Sequence, residues 1–130
     1  MSIEIGLKGR AECAVDKSNT AQAACSGALA VFGTPFMAAL MEKAAWTSLA
    51  PFLAPGESTV GTRLSISHDS ATPVGMKVWA ESEVTAVDGK RITLKVWAYD
   101  EKGLIGQGEH ERFIITDERF LAKTARKLEG

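Results

Sequence analysis

Cysteine is scarce in this chain: Cys13 and Cys25, twelve positions apart, are the only two in 130 residues. They form no CxxC pair and no histidine stands near them at metal-ligand spacing, so they read as free thiols, not as a disulfide framework. A thiol can serve as a nucleophile in a cleft, which keeps Cys25 as a secondary candidate. Histidine is equally rare, His68 and His110 alone, and with no third ligand suitably spaced a zinc site has no support. No apolar run approaches the ~18 uncharged residues of a spanning helix. Neither charge sign dominates: 15 basic against 16 acidic residues give a net charge of −1. With no basic block, neither nucleic acid nor a membrane surface is expected as a partner. The opening MSIEIGLKGRAEC carries Glu4, Lys8, Arg10 and Glu12, which interrupt the apolar core of a signal peptide, so cytoplasmic residence is the expectation. Gly-rich phosphate loops, HExxH, GxSxG and internal repeats are also missing.

What is present is ordinary for a globular protein: 45% hydrophobic and 24% charged residues, at a length that predicts a single domain over 1–130 with a real core. Residues 3–15 read as a first strand, and 16–33, small and mixed in polarity, as loop. Thr34-Pro35 reads as a helix start, because Thr suits an N-cap and Pro suits the first helical position. The helix is expected to reach Leu49, with Ala50-Pro51 and PGES at 55–58 ending it. Four strand-like runs follow at about 58–69, 75–87, 90–100 and 104–115. Asp88-Gly89 and Lys102-Gly103 supply tight turns. The third run alternates cleanly, with Ile92, Leu94, Val96 and Ala98 on one face. The tail from Asp117 suggests a short, solvated helix.

A helix apolar almost all round is a buried helix. One strand, that helix and four antiparallel strands are most simply arranged as an α+β fold in which one antiparallel sheet wraps around the long apolar helix, the hotdog architecture.

Four polar residues stand out against this plan. Glu42 lies in the middle of TPFMAALMEKAAWTSLA. Its helical neighbours Ala38, Ala39, Ala45 and Trp46 include no cation, which excludes an intrahelical ion pair. Glu42 therefore either sits at a helix edge and reaches solvent or a cation on a strand, or lines a cleft at a subunit boundary. His68 extends the row Val60, Thr62, Leu64 and Ile66 on one strand face. It reads as a buried, hydrogen-bonded histidine or as a cleft base. His110, in GEHERF, shares a face with Gly106, Gly108 and Arg112 and reads as strand filler. Thr34 is accounted for as an N-cap, although a hydroxyl at a helix N-terminus also lies where a developing oxyanion is favoured.

The combination of T-x-F-M-x-x-L-M-E, an LxPGES turn, VGT, SxxHxxATPxG and GEHERF, spread over about residues 31–123, resembles the fluoroacetyl-CoA thioesterase-like family of hotdog proteins. The resemblance implies a homodimeric hydrolase of short acyl-CoA thioesters that needs no cofactor, coenzyme A being part of the substrate. It implies Thr34, Glu42 and His68 as catalytic residues. A backbone N–H matching Gly61 would help hold the thioester carbonyl, and Arg112 would lie near the site. These residue types suit the reaction, which needs a nucleophile, a proton shuttle near neutral pKa and an oxyanion site. Where a fluoroacetyl-selective member carries two phenylalanines covering the acyl pocket, this chain has Cys25 and Ala28, so the resemblance implies hydrolysis without implying fluoroacetyl selectivity. Two alternatives stand beside it: a noncatalytic acyl-CoA-binding hotdog module and a hotdog hydratase acting on enoyl-CoA.

Spacing adds a further expectation. Thr34 and Glu42, eight positions apart on one helix, are about 12 Å apart along its axis and ~80° apart in direction. Gly61 and His68 on a straight strand would be about 23 Å apart. If that strand forms a sheet edge and pairs with its twin across a two-fold axis, Gly61 of one chain approaches His68 of the other. Each homodimer would then hold two composite sites.

Overall fold

The computed structural model describes residues 2–129. The chain runs β1 (Lys8–Ala14), α1 (Thr34–Leu49), a 3-10 turn (Ala50–Phe52), β2 (Glu57–His68), β3 (Lys77–Asp88), β4 (Arg91–Asp100), β5 (Gly103–Thr116) and α2 (Asp117–Ala125), with a last 3-10 turn at Arg126–Leu128. The strands form one sheet of order β1-β3-β4-β5-β2 in which every pairing is antiparallel. This is the expected α+β hotdog arrangement. Strand β2 lies at one edge of the sheet.

The period-2 pattern of β4 is realised without exception. Ile92, Leu94, Val96 and Ala98 are all fully buried. They face α1, whose Met37, Leu40, Met41, Ala44, Ala45 and Leu49 supply the other half of the core. Close approach of helix and sheet depends on Gly9: a Cβ there would run into the Ala44 carbonyl and the Ser48 side chain. The opposite face of the sheet carries Trp79 stacked on Tyr99, with Arg10 over Trp79 and Lys95 over Trp97.

Several expectations are corrected. The first strand begins at Lys8, not at residue 3, because Gly6 adopts φ +96° and turns the chain. Even so, the Gly6 N–H reaches the Val84 carbonyl and the Leu7 carbonyl accepts from the Val84 N–H. Each hairpin turns one position away from the expected dipeptide, the first later and the second earlier. Asp88 pairs with Arg91 around Gly89-Lys90, and Asp100 with Gly103 around Glu101-Lys102. Thr34 is not the helix cap. Gly33 holds that position in extended conformation, and its carbonyl accepts from the N–H groups of both Phe36 and Met37. The Thr34 hydroxyl is thereby released from capping. Nor is α1 buried all round. The sheet curls over one side of it, and the other side, including Pro35, Ala39 and Trp46, is exposed in the single chain, Trp46 by 46%.

The row proposed for β2 is broken by a bulge. Val60 pairs with Phe113 and Gly61 with Arg112, but Arg63 then pairs with Glu111, so Thr62 is the extra residue. One inserted residue reverses parity. Leu64, Ile66 and His68 share the helix-facing side with Gly61, not with Val60 and Thr62. Thr62 turns outward and donates to the Glu111 carboxylate at 2.7 Å.

Candidate active site

Release of Thr34 from capping decides the first half of the site. Its Oγ1 lies 2.7 Å from Nδ1 of His68, thirty-four positions away at the end of β2. The edge of the Phe32 ring faces the imidazole, with centroids 6.5 Å apart. His68 Nε2 is shielded and has no hydrogen-bond partner among the described residues. Burial pushes the His68 pKa below its ordinary value, opposed by the charge of Asp69 and the backbone of Ser70. The ring therefore stays neutral at pH 7, with one nitrogen able to accept a proton. Thr34 and His68 open onto a cleft of about 480 Å³ also walled by Ala21, Ser26, Pro35 and Ala38. A hydroxyl in hydrogen-bond contact with a neutral imidazole is the arrangement of an activated nucleophile.

The second half is built two turns further along α1. Glu42 Oε2 lies 3.7 Å from Nη1 of Arg112, whose side chain is only 8% exposed while that of Glu42 is 42% exposed. The cation on another strand that the helix could not supply is therefore Arg112. Its guanidinium is fixed by three further bonds: Nε to Thr59 Oγ1 at 2.8 Å, Nη2 to the Thr59 carbonyl at 2.9 Å, and Nη1 to Nε2 of His110 at 3.0 Å. Burial lowers the Arg112 pKa, and the Glu42 charge raises it in opposition. Gly61 completes the group. A Cβ on it would lie 3.0 Å from Glu42 Oε2, 3.2 Å from His110 Cε1 and 3.3 Å from Arg112 Nη1. Any side chain would press on all three, so the close packing of this group calls for glycine here.

Of the five site residues expected from the sequence, Thr34 and His68 meet each other, and Glu42, Gly61 and Arg112 meet one another. The two groups do not meet. Among the described residues no hydrogen bond or ion pair joins Glu42 to Thr34 or His68. Gly61 pairs with Arg112 and His68 with Gly106, six positions apart along β5, a separation of about 20 Å. Two participants escaped the sequence reading, Thr59 and His110. His110 is not filler: it is 1% exposed, with both ring nitrogens bonded. The signal was its spacing of two from Arg112, which puts both side chains on one strand face.

Cys13 is half-buried and Cys25 exposed, and both are free thiols. Burial raises the pKa of Cys13, which makes it a poor thiolate. Among the described residues no three His, Cys, Asp or Glu side chains converge as a metal site requires, and no helix is long and apolar enough to cross a membrane.

The chain was compared with known proteins. The sequence profile of the family described as fluoroacetyl-CoA-specific thioesterase matches residues 15–118. The fluoroacetyl-CoA thioesterase of Streptantibioticus cattleyicolor is 43% identical over 97 residues, covering 75% of this chain and 70% of that protein. A solved structure of the fluoroacetyl-CoA thioesterase FlK superposes with a TM-score of 0.93 at 34% identity, covering 98% of both chains. A thioesterase superfamily member from Thermus thermophilus superposes with a TM-score of 0.90 at 29% identity, over 98% of this chain and 94% of that one. Profile, sequence and structure agree, and the chain belongs to the fluoroacetyl-CoA-specific thioesterase family.

Proposed function

We propose that this protein is an acyl-CoA thioesterase that hydrolyses a short-chain acyl-CoA to the free acid and coenzyme A. The observation that carries this reading is the 2.7 Å contact between Thr34 Oγ1 and His68 Nδ1 at the mouth of a cleft, in a chain of this family. His68 takes the proton of the attacking hydroxyl, that of Thr34 or of a water, and returns it to the departing thiolate; water supplies the acid's second oxygen, either directly or by releasing the acyl group from Thr34. Thr34 is the hydroxyl in contact with that base. The Gly61 backbone N–H and the Arg112 guanidinium hold the carbonyl oxygen as it becomes an oxyanion. Glu42 is the catalytic carboxylate beside them.

Two half-sites on one chain call for a second chain. The working form in this reading is a homodimer in which Glu42, Gly61 and Arg112 of one protomer complete the site around Thr34 and His68 of the other. Support comes from the edge position of β2, whose free side can pair across a two-fold axis, and from the exposed side of α1 with Pro35, Ala39 and Trp46. Since a Cβ at Gly61 would touch the Glu42 carboxylate, whichever chain supplies Gly61 also supplies Glu42. The same reading takes residues 1–130 as one hotdog domain acting in the cytoplasm, where two free thiols stay reduced.

Activity is tested by thiol release from a panel of acyl-CoAs. Turnover of short acyl chains supports the proposal, and binding without thiol release would replace it by a noncatalytic acyl-CoA-binding module. The shared site is tested by mixing two inactive variants, Glu42→Gln and His68→Ala. In a mixed dimer with shared sites both lesions fall in one site and the other is intact, so activity partly returns. With subunit exchange verified, failure to recover activity would reject the shared site.

A further inference from the structure

His110 is buried in the sheet between Leu64 of β2 and Leu94 of β4, a place that a plain apolar side chain would fill. It instead makes two directed bonds. Nδ1 lies 2.8 Å from the Arg63 carbonyl, and Nε2 lies 3.0 Å from Nη1 of Arg112. A carbonyl can only accept and a guanidinium can only donate. One tautomer alone satisfies both: neutral imidazole with the proton on Nδ1, donating to Arg63 and accepting from Arg112. Burial, with the Arg112 charge adding to it, lowers the His110 pKa and keeps that neutral form.

Each bond ends on a feature the site needs. The Arg63 carbonyl belongs to the bulge of β2, at the register shift between Gly61 and Arg63. That bulge puts Gly61 on the same side of the sheet as His68. The other bond fixes Nη1, the guanidinium nitrogen nearest Glu42. Thr59 holds only Nε and Nη2, so without His110 the Nη1 edge has no partner among the described residues but the loose 3.7 Å contact to Glu42.

We propose that His110 is a positioning residue of the hydrolytic site, a single-tautomer clamp that holds the β2 bulge at Gly61 and the guanidinium of Arg112 in register. It touches no reacting atom and acts through Arg112. This rests on the reading above in which Arg112 helps to hold the carbonyl oxygen.

The test is a double-mutant cycle on the full-length protein, with thiol release measured per folded dimer. His110→Asn keeps an N–H for the Arg63 carbonyl, because the asparagine amide reaches the place of Nδ1, but leaves Arg112 without its acceptor. Arg112→Met removes the guanidinium. The expected loss in kcat/KM for His110→Asn is about tenfold, the lower end of what losing one hydrogen bond to a charged group costs. The loss should fall in kcat with KM little changed, as for an interaction made in the transition state. Arg112→Met should lose at least as much, and the double variant no more than Arg112→Met alone. Losses that multiply, or a wild-type rate per folded His110→Asn dimer, would overturn the proposal. If His110→Asn does not fold, His110→Gln, whose amide oxygen extends toward the place of Nε2, enters the cycle as the milder variant. It should retain more activity than Arg112→Met and show the same non-additivity. Failure here is distinct from failure of the reading beneath it. An unchanged rate in Arg112→Met removes the arginine's role and the clamp with it, whereas a lost rate there with multiplying losses removes only the clamp.

Discussion

The two halves of the site are built by opposite rules. Around Arg112 nearly every polar group is tied down: one guanidinium makes three hydrogen bonds and an ion pair, and the histidine behind it is bonded at both nitrogens. Around His68 there is one side-chain bond, to Thr34, and a second nitrogen with no partner among the described residues. The contrast follows from what each half does in the proposed reaction. An oxyanion support works by not moving, since donors already aimed at the developing charge need no reorganisation during the reaction. A base must exchange protons, so it cannot be saturated with bonds. Fixed and free halves at separate points along α1 also explain why the helix bears Thr34 and Glu42 on either side of the apolar run Pro35–Met41.

The largest expected effect tests the free half. His68→Ala removes the proton shuttle and should lower kcat/KM by about 10²–10⁴-fold, the usual contribution of a general base. The variant should still fold, because His68 closes no buried network. If it were merely destabilised, with its rate per folded molecule intact, His68 would be a core histidine after all. Next in size is the fixed half. Glu42→Gln, nearly isosteric and uncharged, should lower kcat/KM by roughly a hundredfold. Near-normal kcat/KM in folded Glu42→Gln protein would reduce the carboxylate to a surface partner of Arg112.

A smaller and more diagnostic effect is the pH dependence. The reaction needs neutral His68, and burial lowers the His68 pKa. The acid limb of kcat/KM should therefore have its midpoint below the ordinary histidine value of about 6.5, and activity should persist to a more acidic pH than an exposed histidine allows. Stability follows the same sign. The unfolded chain takes up the proton more readily than the folded one, so stability falls as pH drops below about 6.5 and levels off once the folded pKa is passed. An acid limb at or above 6.5 would mean that another group controls the rate, or that a carboxylate brought up to His68 in the dimer outweighs the burial.

Strands were legible in this sequence where one physical signal acted alone. In β4 the period of two is unbroken, and the inward row is as expected. In β2 the same reasoning failed, because the bulge at Thr62 inserts one residue and no apolar pattern marks it. Val60 and Thr62 were thus placed beside His68, where Gly61 belongs. Thr34 misled because Thr is a good cap and Pro follows it, yet Gly33 caps through its backbone and frees the hydroxyl for His68. His110 was hidden by its flanks: Glu109 and Glu111 suggest a solvated segment, but alternation turns them away from the face His110 shares with Arg112. The identities of Thr34, Glu42, His68, Gly61 and Arg112 came from the family resemblance, and their division into two groups became visible only with the fold.

The smallest expected effect concerns the acyl group. The cleft beside Thr34 is walled by Ala21, Ser26, Val31 and Phe32, and the 21–30 segment, in which Cys25 and Ala28 are exposed, puts no aromatic ring over it. Fluorine is close to hydrogen in size, so such a wall has little shape difference to read. A difference in rate will nevertheless exist without any recognition, because fluorine withdraws electrons and makes the carbonyl easier to attack. The informative quantity is thus the enzyme's ratio of kcat/KM for fluoroacetyl-CoA over acetyl-CoA divided by the same ratio for hydroxide in water. That quotient should stay within about tenfold of one, equivalent to less than about 1.4 kcal/mol of discrimination. A much larger quotient would mean that some group other than an aromatic lid sorts the two substrates. The Thr34–His68 half would then be as closely fitted to its substrate as the Arg112 half is to its own partners.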